Sequence, residues 1–269
     1  MKKYVKRYLA LILTFALVIS VPFAAFTQKA SAASKKTKYV VTQETRIAKE
    51  EGENVTTVYN MQYYKNGLLK ARIYKSGSKT VYIRNKKGYI TTVNEYDSKG
   101  KLEDTWGYTY KYDKKGNAIS QTSYYYDDGV KKTGSTTKFK NYKNGKVKKA
   151  TEVDGTYSWT VTYNKKGDRT STVEKGETYI NTNKYKYKYD KKGNPVKVVC
   201  TYSGKNSEGT ESSVTTTTYK YKYDKHKNIK KAVITEVYKE GNYTYTGTTT
   251  ELYKYKKVKV PKKFLKFFR

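Results

Sequence analysis

From residue 54 onward, apolar and polar positions alternate with a period of two. Tyr108, Tyr110 and Tyr112 fall on one face of an extended segment with Trp106, and Thr109 and Lys111 fall on the other, because successive side chains of a strand point to opposite sides. The same split sets Tyr185, Tyr187 and Tyr189 against Lys184, Lys186 and Lys188, and Tyr219, Tyr221 and Tyr223 against Lys220 and Lys222. Tyr157, Trp159, Val161 and Tyr163 form a fourth stripe. Val, Thr and Tyr fit a pleated surface, and no helical period competes with the alternation. The pattern predicts an all-β chain, an antiparallel meander of about fifteen strands joined as repeated β-hairpins. A sheet with one aromatic and one lysine/threonine face buries the aromatic one, as a rolled or two-layered sheet.

The punctuation between strands repeats. Tyr-Lys-Tyr-Asp-Lys-Lys-Gly-Asn stands at residues 110–117 and again at 187–194, and a degraded copy with His226 and Lys227 stands at 221–228. Weaker relatives occupy 63–67, 84–88, 96–100, 142–145 and 163–167. The turn has a mechanism: Asp113 or Asp190 accepts a hydrogen bond from the backbone two residues on, the two lysines form a type I turn, and the glycine takes the left-handed position that closes a bulged hairpin. Lys227 replaces that glycine, where a side chain costs about 1 kcal/mol, so the third copy is expected to be looser or of another type. Alternate hairpins of a meander emerge at opposite edges. The lysine-rich turns at 113–116, 143–145, 164–167, 190–193 and 224–227 should therefore share one basic edge. Asp127, Asp128, Asp154, Glu174, Glu177, Glu208 and Glu240 should make the other edge mildly acidic.

Charge and termini add location. The chain carries 57 Lys and Arg against 23 Asp and Glu, a formal net charge of +34. Residues 1–32 read as a secretory leader: a basic start, an apolar run from Leu9 to Phe26, and Ala30-Ser31-Ala32 as a small-residue cleavage pattern. The run is also near the lower length for a membrane span, so the leader is either cleaved or kept as an anchor. Cleavage would remove five basic residues and leave +29. Residues 33–53 form an N-terminal segment with a candidate first strand, 54–257 the repeat domain, and 258–269 a basic, aromatic tail. The expected location is secreted, extracellular or associated with the cell wall. One cysteine, Cys200, permits no internal disulfide, so packing and sheet hydrogen bonds must hold the fold.

Catalytic chemistry has little to draw on. The single histidine, His226, falls on a hairpin tip, and one histidine with one cysteine assembles neither a triad nor a zinc site of ordinary spacing. Cys200 follows two valines and reads as a small hydrophobe of a strand. The carboxylates sit mainly at short hairpin tips that shape no cleft, and no calcium-loop spacing is present. No enzyme activity, metal or cofactor is expected. Trp106 and Trp159 share the tyrosine face and read as core, with sugar stacking as the alternative if that face lies open.

The string Tyr-x-Tyr-Asp-x-x-Gly-Asn resembles the YD repeat of Rhs-like proteins, tightly at two places and as a pattern over most of residues 54–257. The resemblance implies long β-sheets that roll into shells, as in polymorphic toxins and some surface adhesion proteins. Only twelve residues follow from Val258, so a short secreted β-repeat surface protein without a toxin module is expected.

Binding is expected of the lysines. Strand-face Lys111, Lys184, Lys186, Lys188, Lys220 and Lys222 and turn Lys114, Lys115, Lys165, Lys166, Lys191, Lys192 and Lys225 are the candidate polyanion contacts. The partner they suit is an anionic cell-wall or extracellular polymer, a teichoic acid or an acidic polysaccharide. Nucleic acid is not the expected partner, because no recognisable motif is present and the leader directs the chain outside. A structural or adhesive role through sheet edges or aromatic faces is the alternative. In the tail, Phe264, Leu265, Phe267 and Phe268 beside lysines suit an anionic membrane surface, against a segment folded back to cap the sheet.

Overall fold

Alternation with short turns drives the chain up and down, and the sheet it builds has no edge. A computed structural model describes residues 35–50 and 53–268; the leader lies outside the described residues. In chain order the strands are β1 (Lys35–Glu50), β2 (Glu53–Tyr63), β3 (Leu69–Tyr74), β4 (Lys79–Arg84), β5 (Ile90–Tyr96), β6 (Leu102–Tyr112), β7 (Ala118–Asp127) and β8 (Val130–Asn141). They continue as β9 (Val147–Asp154), β10 (Tyr157–Tyr163), β11 (Arg169–Lys175), β12 (Ile180–Tyr189), β13 (Pro195–Asn206), β14 (Gly209–Tyr223), β15 (Ile229–Glu240) and β16 (Tyr243–Pro261). Each pairs antiparallel with its chain neighbours, and β1 pairs with β16 to close the barrel. The sheet is thus rolled, not two-layered, and the segment at 35–50 supplies the strand that removes both edges. Closure satisfies the backbone donors and acceptors that an edge would leave exposed.

Register sorts the side chains. Tyr219 faces Ile234 and Tyr221 faces Ala232 across β14 and β15, and Glu251 faces both Ala232 and Arg46. Ala232, Tyr219, Glu251 and Tyr253 are buried, so this is the inward face. Val41, Met61, Ile229, Ala232 and Tyr253 form its apolar centre, with Tyr59, Tyr63, Leu69, Tyr221, Tyr223, Ile234 and Tyr255 packed around them. Lys184, Lys186, Lys188, Lys220 and Lys222 alternate with the tyrosines and are exposed on the outer wall. Strand carboxylates go the other way: Glu44, Glu152, Glu174 and Glu236 oppose inward-facing Tyr59, Trp159, Trp159 and Thr217. A barrel of sixteen strands is wider than its own side chains fill. Trp106 and Trp159 accordingly face inward yet remain half-buried.

The two rims differ in turn chemistry. Hairpins 64–68, 85–89, 113–117, 142–146, 164–168, 190–194 and 224–228 all emerge at one rim and share one hydrogen-bond frame. In it the first residue's amide bonds the fifth residue's carbonyl, and the fourth residue's amide bonds the first residue's carbonyl. The opposite rim has two-residue turns at Asp127–Val130, Asp154–Tyr157, Asn206–Gly209 and Glu240–Tyr243. It also holds a bulged hairpin at 97–101 that uses the lysine-rim frame. In the repeated copies Gly116 and Gly193 take φ of 76° and 86°, and Lys115 and Lys192 donate their amides to Asp113 and Asp190.

The hairpin at 224–228 corrects an expectation: it is neither looser nor of another type. Asp224 and Asn228 pair at 2.8 Å, and Lys227 adopts φ of 66° in the glycine's place. The side chain accepts left-handed strain because the Asp224 carboxylate still takes the His226 and Asn228 amides, both at 2.8 Å. Replacing Lys227 with glycine should stabilise the barrel by up to about 0.5 kcal/mol, the relieved strain less glycine's added entropy in the unfolded chain. Urea unfolding of the K227G variant reads this as a higher midpoint at unchanged slope.

The inward tyrosines couple the fold to alkali. Burial raises the phenols of Tyr63, Tyr219, Tyr221, Tyr253 and Tyr255 well above the ordinary range, and neighbouring carboxylates or phenols push in the same direction. A raised folded pKa stabilises fully below the unfolded value, near 10, and that stabilisation is lost as pH rises, by up to about 1.4 kcal/mol per pH unit for each group. The barrel should therefore unfold cooperatively above about pH 10, with tyrosinate absorbance appearing together with the loss of β-sheet circular dichroism rather than before it.

Candidate functional site

The lysine-rich rim is held by side chains that reach from one repeat to the previous one. After each of its hairpins the strand ladder skips one residue, as between Pro195 and Lys197, and the bulge needs a partner for the carbonyl beside it. Tyr110 donates its hydroxyl to the Ile90 carbonyl at 2.8 Å, Tyr187 to Arg169 at 2.8 Å, Tyr221 to Pro195 at 2.7 Å and Tyr255 to Ile229 at 2.8 Å. The equivalent carbonyls of Leu69 and Ala118 receive Arg84 Nε at 3.1 Å and Asn141 Nδ2 at 2.8 Å. In every case the donor comes from the next strand, the one that leads into the following hairpin of this rim or, for Tyr255, into the tail.

On three of the clasping strands, β6, β12 and β14, the tyrosine two residues further on bonds the turn itself. Tyr223 donates to Asp190 and accepts from Asn194 Nδ2 at 2.8 Å; Tyr189 donates to Asp168 at 2.8 Å and accepts from Asn164 Nδ2 at 2.9 Å. Tyr112 accepts from Asn85 Nδ2 at 2.7 Å. Over these rings lie the ammonium groups of Lys192, Lys166 and Lys87, at 3.1, 3.4 and 3.8 Å from the centroids. Burial pushes the Asp190 carboxyl upward, but hydrogen bonds from Tyr223, Asn194 and the Lys192 amide outweigh it and leave the carboxyl below its usual range. Hydrogen bonds from Asn117 lower Asp113 in the same direction. Asp113 and Asp190 thus stay ionised in support of their turns.

The candidate lysines fall into two groups. Lys114, Lys115, Lys165, Lys166, Lys191, Lys192 and Lys225 are exposed on the rim hairpins. Lys111, Lys184, Lys186, Lys188, Lys220 and Lys222 stand exposed on the outer wall below them. On that wall Lys188 faces Lys197 and Lys222 faces Lys231 across neighbouring strands. Rim lysines that the sequence reading did not single out, Lys65, Lys86 and Lys143, occupy the same turn position as Lys114. Their signal was present in the shortened copies Tyr-Lys-Asn-Gly and Asn-Lys-Lys-Gly. Between the hairpins at 113–117 and 142–146, where β8 supplies short Asn141 instead of a tyrosine, an open recess of about 430 Å³ is lined by Asp113, Lys114, Lys115, Asn117, Tyr142 and Lys143.

The first described residue, Lys35, and the last strand's end, Pro261, lie together on the same rim. Beyond Tyr255, β16 runs on with β1 to Pro261, and a 3-10 helix follows at Lys262–Phe267. Phe264 is buried with Leu68 and Val260, and Leu265 and Phe268 pack against that cluster. Phe267 is 36% exposed and meets the Tyr89 ring edge-on at 5.2 Å. Lys266 bonds the Gly116 carbonyl at 3.1 Å. Of the four tail residues read as membrane contacts, one is thus buried, two are partly covered and Phe267 is the exposed one.

Elsewhere the chemistry is sparse. His226 is exposed and stacks on Tyr39 at 5.0 Å. Burial raises the Cys200 thiol to about 11, and the group faces Asn183 Oδ1 at 3.5 Å. Inside the barrel, burial raises Glu44, Glu236 and Glu251, with the Glu251 charge adding to the shift of Glu44. Among the described residues no group of three or more His, Cys, Asp or Glu could hold a metal ion.

No protein-family model matches the chain. No curated protein sequence matches it either. Among solved structures it is similar to a porin-like protein from Bacteroides uniformis, with 15% identity and a TM-score of 0.38 over 80% of this chain and 98% of the other. It is also similar to part of TcdB2-TccC3-TEV, with 9% identity and a TM-score of 0.32 over 78% of this chain and 13% of that one.

The clasp makes a prediction. Tyr221→Phe leaves the Pro195 carbonyl without its donor inside the barrel and should cost about 1–2 kcal/mol. Denaturant unfolding measures the loss, and amide exchange around residues 190–195 should speed up ahead of the outer-wall strands.

Proposed function

We propose that this is a secreted, non-catalytic β-repeat protein that binds an anionic cell-surface or extracellular polymer, a teichoic acid or an acidic polysaccharide, through its lysine-bearing rim and outer wall. The observation that carries the reading is charge sorting. Lysines occupy the exposed rim turns and outer strand positions, whereas strand carboxylates such as Glu44, Glu236 and Glu251 face inward. A cationic surface of this extent draws in polyanions at long range, and its attraction weakens as salt screens it. The repeat reading places the chain beside YD-repeat surface proteins, with the tyrosine clasp as the physical meaning of Tyr-x-Tyr-Asp. The outer wall also supports life in water: a bilayer-spanning barrel needs an outward apolar band, and this one presents Lys184, Lys186 and Lys188 there.

A second reading, an adhesive or structural protein acting through exposed apolar groups, draws on Tyr125, Tyr126, Val130 and Val153 near the acidic rim, all exposed. The membrane reading of the tail rests on Phe267 alone unless Phe264 leaves its seat beside Leu68.

Sedimentation of the protein with Gram-positive cell walls, before and after their teichoic acids are stripped and across a salt series, separates these. Binding lost on stripping or in high salt is the expected result. Binding indifferent to both would assign the interaction to the aromatic and apolar surface instead, and no binding at all would remove the wall polymer as partner.

A further inference from the structure

The seven rim hairpins hold a regularity that neither the repeat nor the overall charge explains. The second position of every one is lysine, from Lys65 in the first to Lys225 in the last, whereas the third position is Asn, Lys or His. The two positions have different surroundings. Where the third position is lysine and a clasping tyrosine is present, the ammonium lies on the ring, as Lys87, Lys166 and Lys192 do. The second-position lysines are exposed in all seven hairpins, and among the described residues they make no hydrogen bond or ring contact. A type I turn accepts most residues at this position, so local structure does not call for lysine there. Seven unsupported cations held in like charge on one rim cost stability through repulsion rather than adding to it.

We infer that these second-position lysines are the contact row of the proposed polymer site, that the third-position lysines seated on tyrosine rings are structural, and that the row takes a linear acidic polysaccharide with one carboxylate per disaccharide. This rests on the polyanion reading and narrows it. The spacing points to the polymer. Hairpins recur every second strand, so neighbouring row lysines lie roughly 10–13 Å apart along the rim once strand tilt is included. That distance matches a disaccharide length and exceeds the charge spacing of a phosphodiester chain. The clasp supports the row by fixing each tip: Tyr223 on Asp190 and Asn194 holds the turn that presents Lys191. A pre-positioned row loses little freedom on binding, which favours a long, repetitive ligand engaged at several points.

Two charge-matched variants of the full chain test this. One carries Lys114→Gln, Lys165→Gln, Lys191→Gln and Lys225→Gln; the other carries Lys87→Gln, Lys115→Gln, Lys166→Gln and Lys192→Gln. Binding to immobilised hyaluronan, with one uronate per disaccharide, and to poly(glycerol phosphate) is measured at matched charge over a salt series. The first variant should lose hyaluronan affinity by about tenfold or more and show a shallower salt slope, at an unchanged melting temperature. The second should keep its affinity within about threefold and melt earlier, because three of its four lysines, Lys87, Lys166 and Lys192, lie on tyrosine rings. Equal losses in both variants would overturn the division of labour, and tighter binding of poly(glycerol phosphate) by the parent chain would overturn the polymer class. If the parent chain binds neither polymer nor cell walls at low salt, the polyanion reading itself falls.

Discussion

Everything at the basic rim depends on one contact, a side-chain donor that reaches from the next strand to the carbonyl beside a hairpin bulge. The bulge turns that carbonyl out of the ladder and toward the barrel interior, where leaving it unpaired is costly. A tyrosine hydroxyl is long enough to reach it and keeps its ring in the apolar layer, so one side chain both fills the core and completes the backbone. Because the donor stands on the strand that leads into the following hairpin, each repeat is locked to its predecessor. Arg84 and Asn141 make the same bond where the motif has decayed, so the carbonyl's need outlives the tyrosine that usually meets it.

The clasp also explains how so cationic a chain holds together. With the inner layer given to tyrosine and carboxylate, lysine is confined to the outer wall and the turns, where water screens it. Three rim lysines are drawn onto aromatic faces by the geometry that fixes their turns. The second-position lysines of the hairpins stay exposed as a charged margin, and Lys146 and Lys266 bond carbonyls of neighbouring turns. The interior runs the other way: burial raises the pKa of both Glu44 and Glu251, and the Glu251 charge raises Glu44 further.

Legibility of the sequence was uneven for physical reasons. Strand alternation is a local property, so the meander, the inward tyrosine stripes and the gathering of the lysine-rich turns at one rim follow from residue order. Turn chemistry was legible where the motif was complete, at Asp113 and Asp190. It misled at Lys227, because the Asp224 bonds that hold the same turn outweigh a strain of about 1 kcal/mol. Lys65, Lys86 and Lys143 were passed over because their copies of the repeat are short; it is their shared place in the hairpin frame that groups them with Lys114.

What the sequence determined by itself is periodic: the side each residue takes, where the chain turns, and which turns share a rim, since each follows from neighbours a few residues apart. What only the tertiary structure decided is long-range. Closure of β1 on β16 joins residues more than two hundred positions apart, and no local pattern encodes which strand meets which edge. The separation of Lys192 from Lys191 is likewise tertiary. The two are adjacent in sequence and alike in chemistry, and only the ring of Tyr223, brought over from another repeat, makes one structural and leaves the other free.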